Sequence, residues 1–201
     1  MGECGCQFEA KNKAQRQVLT VLLMVNALMF FVVMIAGIIA GSTALVADSL
    51  DNFADAAVFG ISFYAIGKNK GKKNRAALYS GIFQITLAGF ALVNVLKRFF
   101  FGVEPESSLM IAIALLSLIA NVFCLFLMAK HRHQDIHMRA SWIFLSNDVI
   151  ANLGVVIAGI LVTLLHSRFP DLIMGLILAI IVLGGGIKII RETQSKTLQR
   201  S

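Results

Sequence analysis

Three aspartates lie within a long apolar stretch of the sequence, in the run ADSLDNFAD at residues 47–55. Asp48, Asp51 and Asp55 follow one another at intervals of three and four residues, so on an α-helix they fall on one face. A carboxylate at the centre of a membrane costs roughly 2.5–3.5 kcal/mol on insertion scales. Side chains this costly point to cation binding, to proton exchange, or to hydrogen bonds that hold helices together.

A fourth carboxylate, Asp148, lies in a second apolar stretch, within FLSNDVIAN at residues 144–152. Its polar neighbours are Asn147 and Asn152, and Asn152 shares its helical face because it follows four residues later. Asn52 borders the first aspartate stripe in the same way. Each of the two stretches therefore offers a group of oxygen ligands.

The depths of the two groups agree to within about one helical turn. At ~1.5 Å of rise per residue, Asp55 lies roughly 18 Å and Asp148 roughly 14 Å from the cytoplasmic ends of their predicted helices. Asp51, Asp55 and Asp148 can then meet near mid-membrane, where bare carboxylates would repel one another unless a divalent cation or protons were bound. This arrangement predicts a cation/proton exchange site, whereas Asp48 could instead cap, orient or hold a proton.

The composition supports a membrane setting for these residues, since 58% of the 201 residues are hydrophobic and only 14% are charged. A helix needs about 20 apolar residues to cross the hydrocarbon. Six segments qualify: 17–40, 43–67, 77–101, 107–129, 139–165 and 171–190. The fold class predicted is an all-α integral membrane protein with six transmembrane helices. The domain organisation is a tail at 1–16, a transmembrane domain at 17–190 and a short tail at 191–201.

The basic residues set the expected orientation. With both termini in the cytoplasm, 15 of the 18 lysines and arginines fall inside, and only Lys97, Arg98 and Arg168 fall outside. Basic loops against an anionic inner leaflet account for the net charge of +7, so no nucleic-acid partner is expected.

Two groups of potential metal ligands lie outside the membrane. Cys4 and Cys6 form a CxC pair near the N-terminus, which suits a soft ion, although so short a motif is weakly specific. His131, His133 and His137 lie in the loop KHRHQDIH, which could collect cations or could simply be a solvated basic loop. Cys124 lies in an apolar run and is expected to be a core residue.

The two aspartate motifs resemble those of the cation diffusion facilitator family. In ALVADSLDNFADA, Asp51 and Asp55 match the second-span pair of His or Asp followed four residues later by Asp. In SNDVIANLGVVIAGIL, Asp148 precedes Gly154 by six residues, as in the family's fifth span. The resemblance implies a divalent-metal efflux transporter driven by proton antiport, working as a homodimer in the bilayer with protons as the counter-ion. It most resembles compact bacterial members, which implies a multi-pass protein of the inner membrane.

Two departures from the family pattern bear on the site. The family's fifth span has a His or Asp four residues before the Asp, where this chain has Phe144, which cannot bind a metal. Asn147 is the nearest substitute as the fourth ligand, although it points about 100° away from Asp148, and water is the alternative. The family's usual cytoplasmic domain after span six is not expected here, because only RETQSKTLQRS follows that span.

The sequence is compatible with more than one transported metal and with more than one class of function. Zn²⁺ is the favoured substrate, with Cd²⁺, Co²⁺, Mn²⁺ and Fe²⁺ as alternatives, because an oxygen-only core leans away from strict zinc selectivity. A cation channel, a membrane metal sensor and an assembly partner are the competing functions. No enzyme is expected, since the run before Asp55 lacks the Gly and Arg of the CDP-alcohol phosphotransferase signature and the chain shows no nucleophile elbow, P-loop or HExxH.

Overall fold

The computed structural model describes residues 3–65, 70–102, 104–129 and 136–198 and contains six helices in that part of the chain. They are α1 (Glu3–Ala40), α2 (Thr43–Ala65), α3 (Lys70–Phe101), α4 (Ser107–Ala129), α5 (Ile136–Leu165) and α6 (Phe169–Leu198). The all-α prediction is confirmed for these residues. α1 begins well before the predicted span at 17–40, so the predicted N-terminal tail is helical from Glu3 onward.

Five of the helices are long and apolar enough to cross a membrane. The spans are Arg16–Ala40, Leu78–Phe101, Ser107–Ala129, Leu145–Leu165 and Phe169–Arg191. α2 has 23 residues and sufficient length, but every 18-residue window within it contains all three aspartates. Large apolar side chains cover the outside of the bundle, for example Met24, Phe31 and Ile39 on α1, each more than 60% exposed. Such a surface suits contact with lipid.

The helices alternate in direction, and hydrogen bonds show which ends lie together. Arg98 at the end of α3 donates to the carbonyl of Gly41, and the backbone N–H of Glu106, just before α4, donates to the carbonyl of Ala40. Arg168, just before α6, donates to the carbonyl of Phe99. We call this the distal end of the bundle and the opposite end, where α1 begins and α6 ends, the terminal end.

Glycines let two helix pairs approach closely. A Cβ on Gly37 of α1 would lie 3.0 Å from the backbone nitrogen of Val46 in α2. A Cβ on Gly186 of α6 would lie 3.0 Å from the carbonyl oxygen of Gly81 in α3. Gly41 occupies the α1–α2 turn with a φ of 66°, a conformation that glycine adopts without strain. Gly37 and Gly41, which have GxxxG spacing, are thus used for packing and turning within the chain.

The buried apolar residues form two clusters, one towards each end. The larger, distal cluster includes Val33, Leu50, Ala54, Ala151 and Val155. The smaller, terminal cluster consists of Leu19, Leu22, Phe59, Cys124, Met128 and Leu145. Along α2 and α5, the boundary between the two clusters falls at Asp55 and Asp148, so a polar layer separates two apolar ones.

Candidate metal centre

The three aspartates of α2 are all buried. The exposed fractions of Asp48, Asp51 and Asp55 are 3%, 9% and 6%. The helix places them on the inner side because their spacing matches its turn. The opposite side of α2 presents Phe53, whose ring stacks on Phe30 of α1 at 4.5 Å and meets Phe83 of α3 edge-on at 5.1 Å. These aromatic contacts hold α2 in the rotation that turns its carboxylates inward.

Asp55 and Asp148 meet across the bundle. α2 and α5 touch only over a small patch, since α2 packs mainly against α1, α3 and α6, and α5 mainly against α4. In that patch the carboxyl groups of Asp55 and Asp148 lie within hydrogen-bonding reach of each other. Asp148 is 9% exposed, and its Oδ2 has no hydrogen-bond partner. Two carboxylates in contact repel each other, so a shared proton or a cation is what can bridge them.

Asp51 and Asp48 lie one and two turns from Asp55 along α2, towards the distal end. With Asp55 and Asp148 they form what we call the acidic layer. Asp48 faces α4 and accepts a hydrogen bond of 3.2 Å from the hydroxyl of Ser117. Asn52, one turn further along α2, donates its side-chain amide to the backbone carbonyl of Asp48 at 2.9 Å. Asp48 is therefore tied to α4, whereas Asp55 is aimed at α5.

The structure does not bring Asn147 to this group. Its side chain is exposed on the surface of α5, while Asp148 beside it is buried. The amide that does lie inside belongs to Asn152, which is fully buried and follows Asp148 by one turn. The i, i+4 spacing of Asp148 and Asn152 is the sequence signal for this position, because it places both on one face. A step of 100° from Asp148 along α5 turns Asn147 outward, so its role as a ligand stays a prediction.

The acidic layer is not a preformed metal site. Among the described side chains, no three His, Cys, Asp or Glu residues are arranged to hold a metal ion. Cys124 lies near Asp55 and is completely buried, but it packs in the terminal apolar cluster with Phe59, Met128 and Leu145. Carboxylates contribute hard oxygen donors, and a cation bound here would draw them together from positions that are already close.

Several predicted ligands lie outside the described part of the chain. His131 and His133 fall at residues 130–135, which the structure does not describe. The side chains of Cys4, Cys6, His137 and Phe144 also lie outside the described residues, although each belongs to a helix. The CxC and histidine-loop hypotheses therefore stay predictions.

A fifth buried carboxylate, Asp171, was not singled out by the sequence. It lies in the first turn of α6, is 1% exposed, and binds the start of α2. It accepts hydrogen bonds from the Ser42 hydroxyl at 2.5 Å and from the backbone N–H groups of Thr43 at 2.6 Å and Ala44 at 3.0 Å. A carboxylate bound to the first N–H groups of a helix caps it and interacts favourably with the positive end of the helix dipole. Asp171 thus positions the helix that carries the acidic layer.

The family profile for the cation efflux transmembrane domain matches residues 19–196, which is most of the chain. The chain belongs to the cation efflux family. The match includes both α2 and α5 and agrees with the resemblance seen in their aspartate motifs. With its membrane-spanning helices, this cation efflux chain is a multi-pass membrane protein.

Relatives of this cation efflux chain include named transporters of low identity. It is 25% identical over 178 residues to the "Zinc transporter ZitB" of Yersinia pseudotuberculosis, covering 82% of this chain and 57% of the relative. It is 23% identical over 188 residues to the "Zinc transporter ZitB" of Escherichia coli, covering 87% and 60%. It is 20% identical over 173 residues to the "Cadmium, cobalt and zinc/H(+)-K(+) antiporter" of Bacillus velezensis, covering 79% and 55%. The chain spans somewhat more than half the length of these relatives.

Proposed function

We propose that this chain transports divalent transition-metal cations out of the cytoplasm in exchange for protons. The observation that carries the proposal is the contact between Asp55 and Asp148 within the membrane-spanning bundle. The two carboxyl groups lie on helices that otherwise barely touch, and they need either a proton or a cation between them. A site that accepts either one in turn is the minimum that a metal/proton exchanger requires.

The surroundings of this pair favour a transported ion over a structural bridge. Apolar clusters lie on both sides of the acidic layer, so an ion must be carried past them and does not simply diffuse through. A bundle held together by polar contacts alone would satisfy its buried oxygens, whereas Oδ2 of Asp148 lacks a partner. The names of the relatives, which include zinc transporters and a cadmium, cobalt and zinc antiporter, point the same way.

The charge asymmetry gives the proposed orientation of the chain, and the family resemblance implies efflux as the direction of transport. Both termini and the basic loops are assigned to the cytoplasm. In this orientation α2 also crosses the membrane, which brings the number of crossings to six, and the distal end of the bundle faces away from the cytoplasm. The terminal end then receives the metal and the distal end releases it as protons enter. The bacterial inner membrane and a homodimeric assembly are part of this proposal, as are Zn²⁺ as first substrate and Cd²⁺, Co²⁺, Mn²⁺ or Fe²⁺ as alternatives.

Reconstitution in liposomes tests the proposal. The purified chain is inserted with a metal-sensitive dye inside, a pH gradient is imposed, and Zn²⁺, Cd²⁺, Mn²⁺, Co²⁺ and Fe²⁺ are added in turn. We expect uptake that depends on the gradient and that falls at least about 100-fold in Asp148→Ala, because the bridge to α2 is lost. Ser146→Ala is the matched control, since that hydroxyl only bonds the carbonyl of Trp142 within α5.

Other outcomes identify the competing functions. Metal flux that is indifferent to the pH gradient and persists without it would indicate a channel. Folded protein that binds metal but moves none, with or without Asp148, would indicate a sensor or an assembly partner and would contradict the transport proposal.

A further inference from the structure

In the side-chain amide of Asn152, the nitrogen is hydrogen-bonded and the oxygen is not. Its Nδ2 donates a hydrogen bond of 3.1 Å to the backbone carbonyl of Asp148, which fixes the orientation of the amide. Its Oδ1 is buried and has no hydrogen-bond partner. The residue is 0% exposed, so that oxygen is shielded from bulk solvent. Leaving a buried acceptor unpaired is unfavourable, and a ligand bound there would remove that penalty.

The unpaired side-chain oxygens of Asn152 and Asp148 lie on the same face of α5. The two residues are one turn apart on the same face of α5, and Oδ2 of Asp148 also lacks a partner. The other buried oxygens without partners lie on Thr43, Gln84 and Asn94, on helices α2 and α3. Thr43 begins α2 at the distal end, and Gln84 lies against Gly185 of α6. Gln84 and Asn94 are ten residues apart on α3, so among the described residues α5 is the helix that has two such oxygens one turn apart.

The antiparallel pairing of α2 and α5 puts Asn152 opposite the acidic layer. From the Asp55–Asp148 contact, one turn towards the distal end leads to Asp51 on α2 and to Asn152 on α5, about 6 Å further along each helix. Four oxygen-bearing side chains therefore stand as two i, i+4 pairs that face each other: Asp51 with Asp55, and Asp148 with Asn152.

We propose that the carbonyl oxygen of Asn152 is the fourth ligand of the transported cation, beside Asp51, Asp55 and Asp148. This inference rests on the proposed function and adds to it. Where the family resemblance implies a ligand one turn before Asp148, this chain has Phe144. The fourth ligand is instead supplied one turn after Asp148, so the centre lies closer to the distal end.

The donor set that results consists only of oxygen, from three carboxylates and one amide. Imidazole and thiolate ligands favour Zn²⁺, whereas carboxylate and carbonyl oxygens also suit Mn²⁺. Asn152 is therefore a residue that determines specificity. With it in place, the chain accepts Mn²⁺ alongside Zn²⁺, and a histidine at this position would favour Zn²⁺.

Asn52 provides an internal comparison. It makes the same bond as Asn152, from its amide to the backbone carbonyl four residues earlier, but its Oδ1 is not among the buried oxygens without a partner. The shared i−4 bond is therefore a local feature of both helices. Of the two residues, Asn152 is the one whose side-chain oxygen is both fully buried and unpaired, and that oxygen is what points to a ligand.

Equilibrium binding of Mn²⁺ and of Zn²⁺ to the purified full chain tests this inference. We expect Asn152→Ala to weaken the binding of both metals by about 10-fold to 100-fold, as loss of groups around a metal centre typically does. We expect Asn152→His to raise the preference for Zn²⁺ over Mn²⁺ by about tenfold or more. Asn147→Ala, which removes the competing amide on the exposed side of α5, should bind both metals like the wild type.

The outcomes separate this inference from the proposed function. Wild-type binding and transport with unaltered affinities in Asn152→Ala would overturn the role of Asn152 and leave the transporter intact. Wild-type protein that binds neither metal would overturn both. If Asn152→Ala does not fold, as judged by gel filtration, Asn152→His decides: an unchanged ratio of Zn²⁺ to Mn²⁺ affinity contradicts the inference, and a raised ratio supports it.

Discussion

Replacing Asp55 with asparagine is expected to abolish the exchange of metal for protons while leaving a folded protein in the membrane. The substitution keeps the shape of the side chain and removes its charge, so the bundle packs as before. Asp55 is the residue on α2 that reaches Asp148, and no other aspartate of α2 makes that contact in the described structure. Uptake of metal into liposomes should fall at least about 100-fold, a loss in the range seen when an essential charged group is removed.

The control for this substitution is Glu106→Gln. It makes the same isosteric change at an exposed carboxylate in the segment before α4, far from the acidic layer. Its uptake rate should equal that of the wild type. Rapid, gradient-coupled uptake by Asp55→Asn would contradict the assignment of Asp55 as a ligand, since the remaining carboxylates would then be sufficient for transport.

Asp171→Ala is expected to give the largest loss of stability among the described residues. The substitution leaves the Ser42 hydroxyl and the N–H groups of Thr43 and Ala44 without their acceptor, in a place that is almost completely buried. Unpaired buried donors cost about 1–3 kcal/mol each, and partial relaxation reduces the sum, so the free energy of unfolding should fall by about 3–5 kcal/mol. Thermal unfolding of the detergent-solubilised protein measures it.

Ser167→Ala is the matched control at the same end of the bundle. The Ser167 hydroxyl accepts one long hydrogen bond of 3.4 Å from the N–H of Phe169, in an exposed position. This variant should unfold within about 0.5 kcal/mol of the wild type, as surface substitutions usually do. If Asp171→Ala were as stable as Ser167→Ala, the capping of α2 by Asp171 would not contribute to holding the bundle.

The sequence was sufficient to predict the helices and the approach of Asp55 to Asp148. Apolar runs of about 20 residues define spans because hydrocarbon leaves few alternatives. The depths of Asp55 and Asp148 could be compared by counting residues, because the rise of an α-helix is constant. The contact between these two side chains in the structure agrees with that count.

The sequence was not sufficient to predict which polar residues are buried and which residues pair, because both depend on tertiary contacts. Asn147 and Asn152 both flank Asp148, and only the packing of α5 against its neighbours shows which of them is inside. Asp171 follows a proline at the start of a helix and has no periodic signature, while its partner Ser42 lies 129 residues away. Gly37 and Gly41 have the spacing of a dimerisation motif, yet Gly37 packs against α2 of the same chain.

Counting the protons released when metal binds tests the central claim most directly. The purified protein, in a weakly buffered detergent solution, is titrated with Zn²⁺ and with Mn²⁺ while bound metal and pH are recorded together. The account predicts saturable binding with release of protons, because the metal replaces the proton that bridges Asp55 and Asp148, and predicts that Asp55→Asn loses both signals. Metal binding without proton release, or equal proton release by Asp55→Asn, would contradict it.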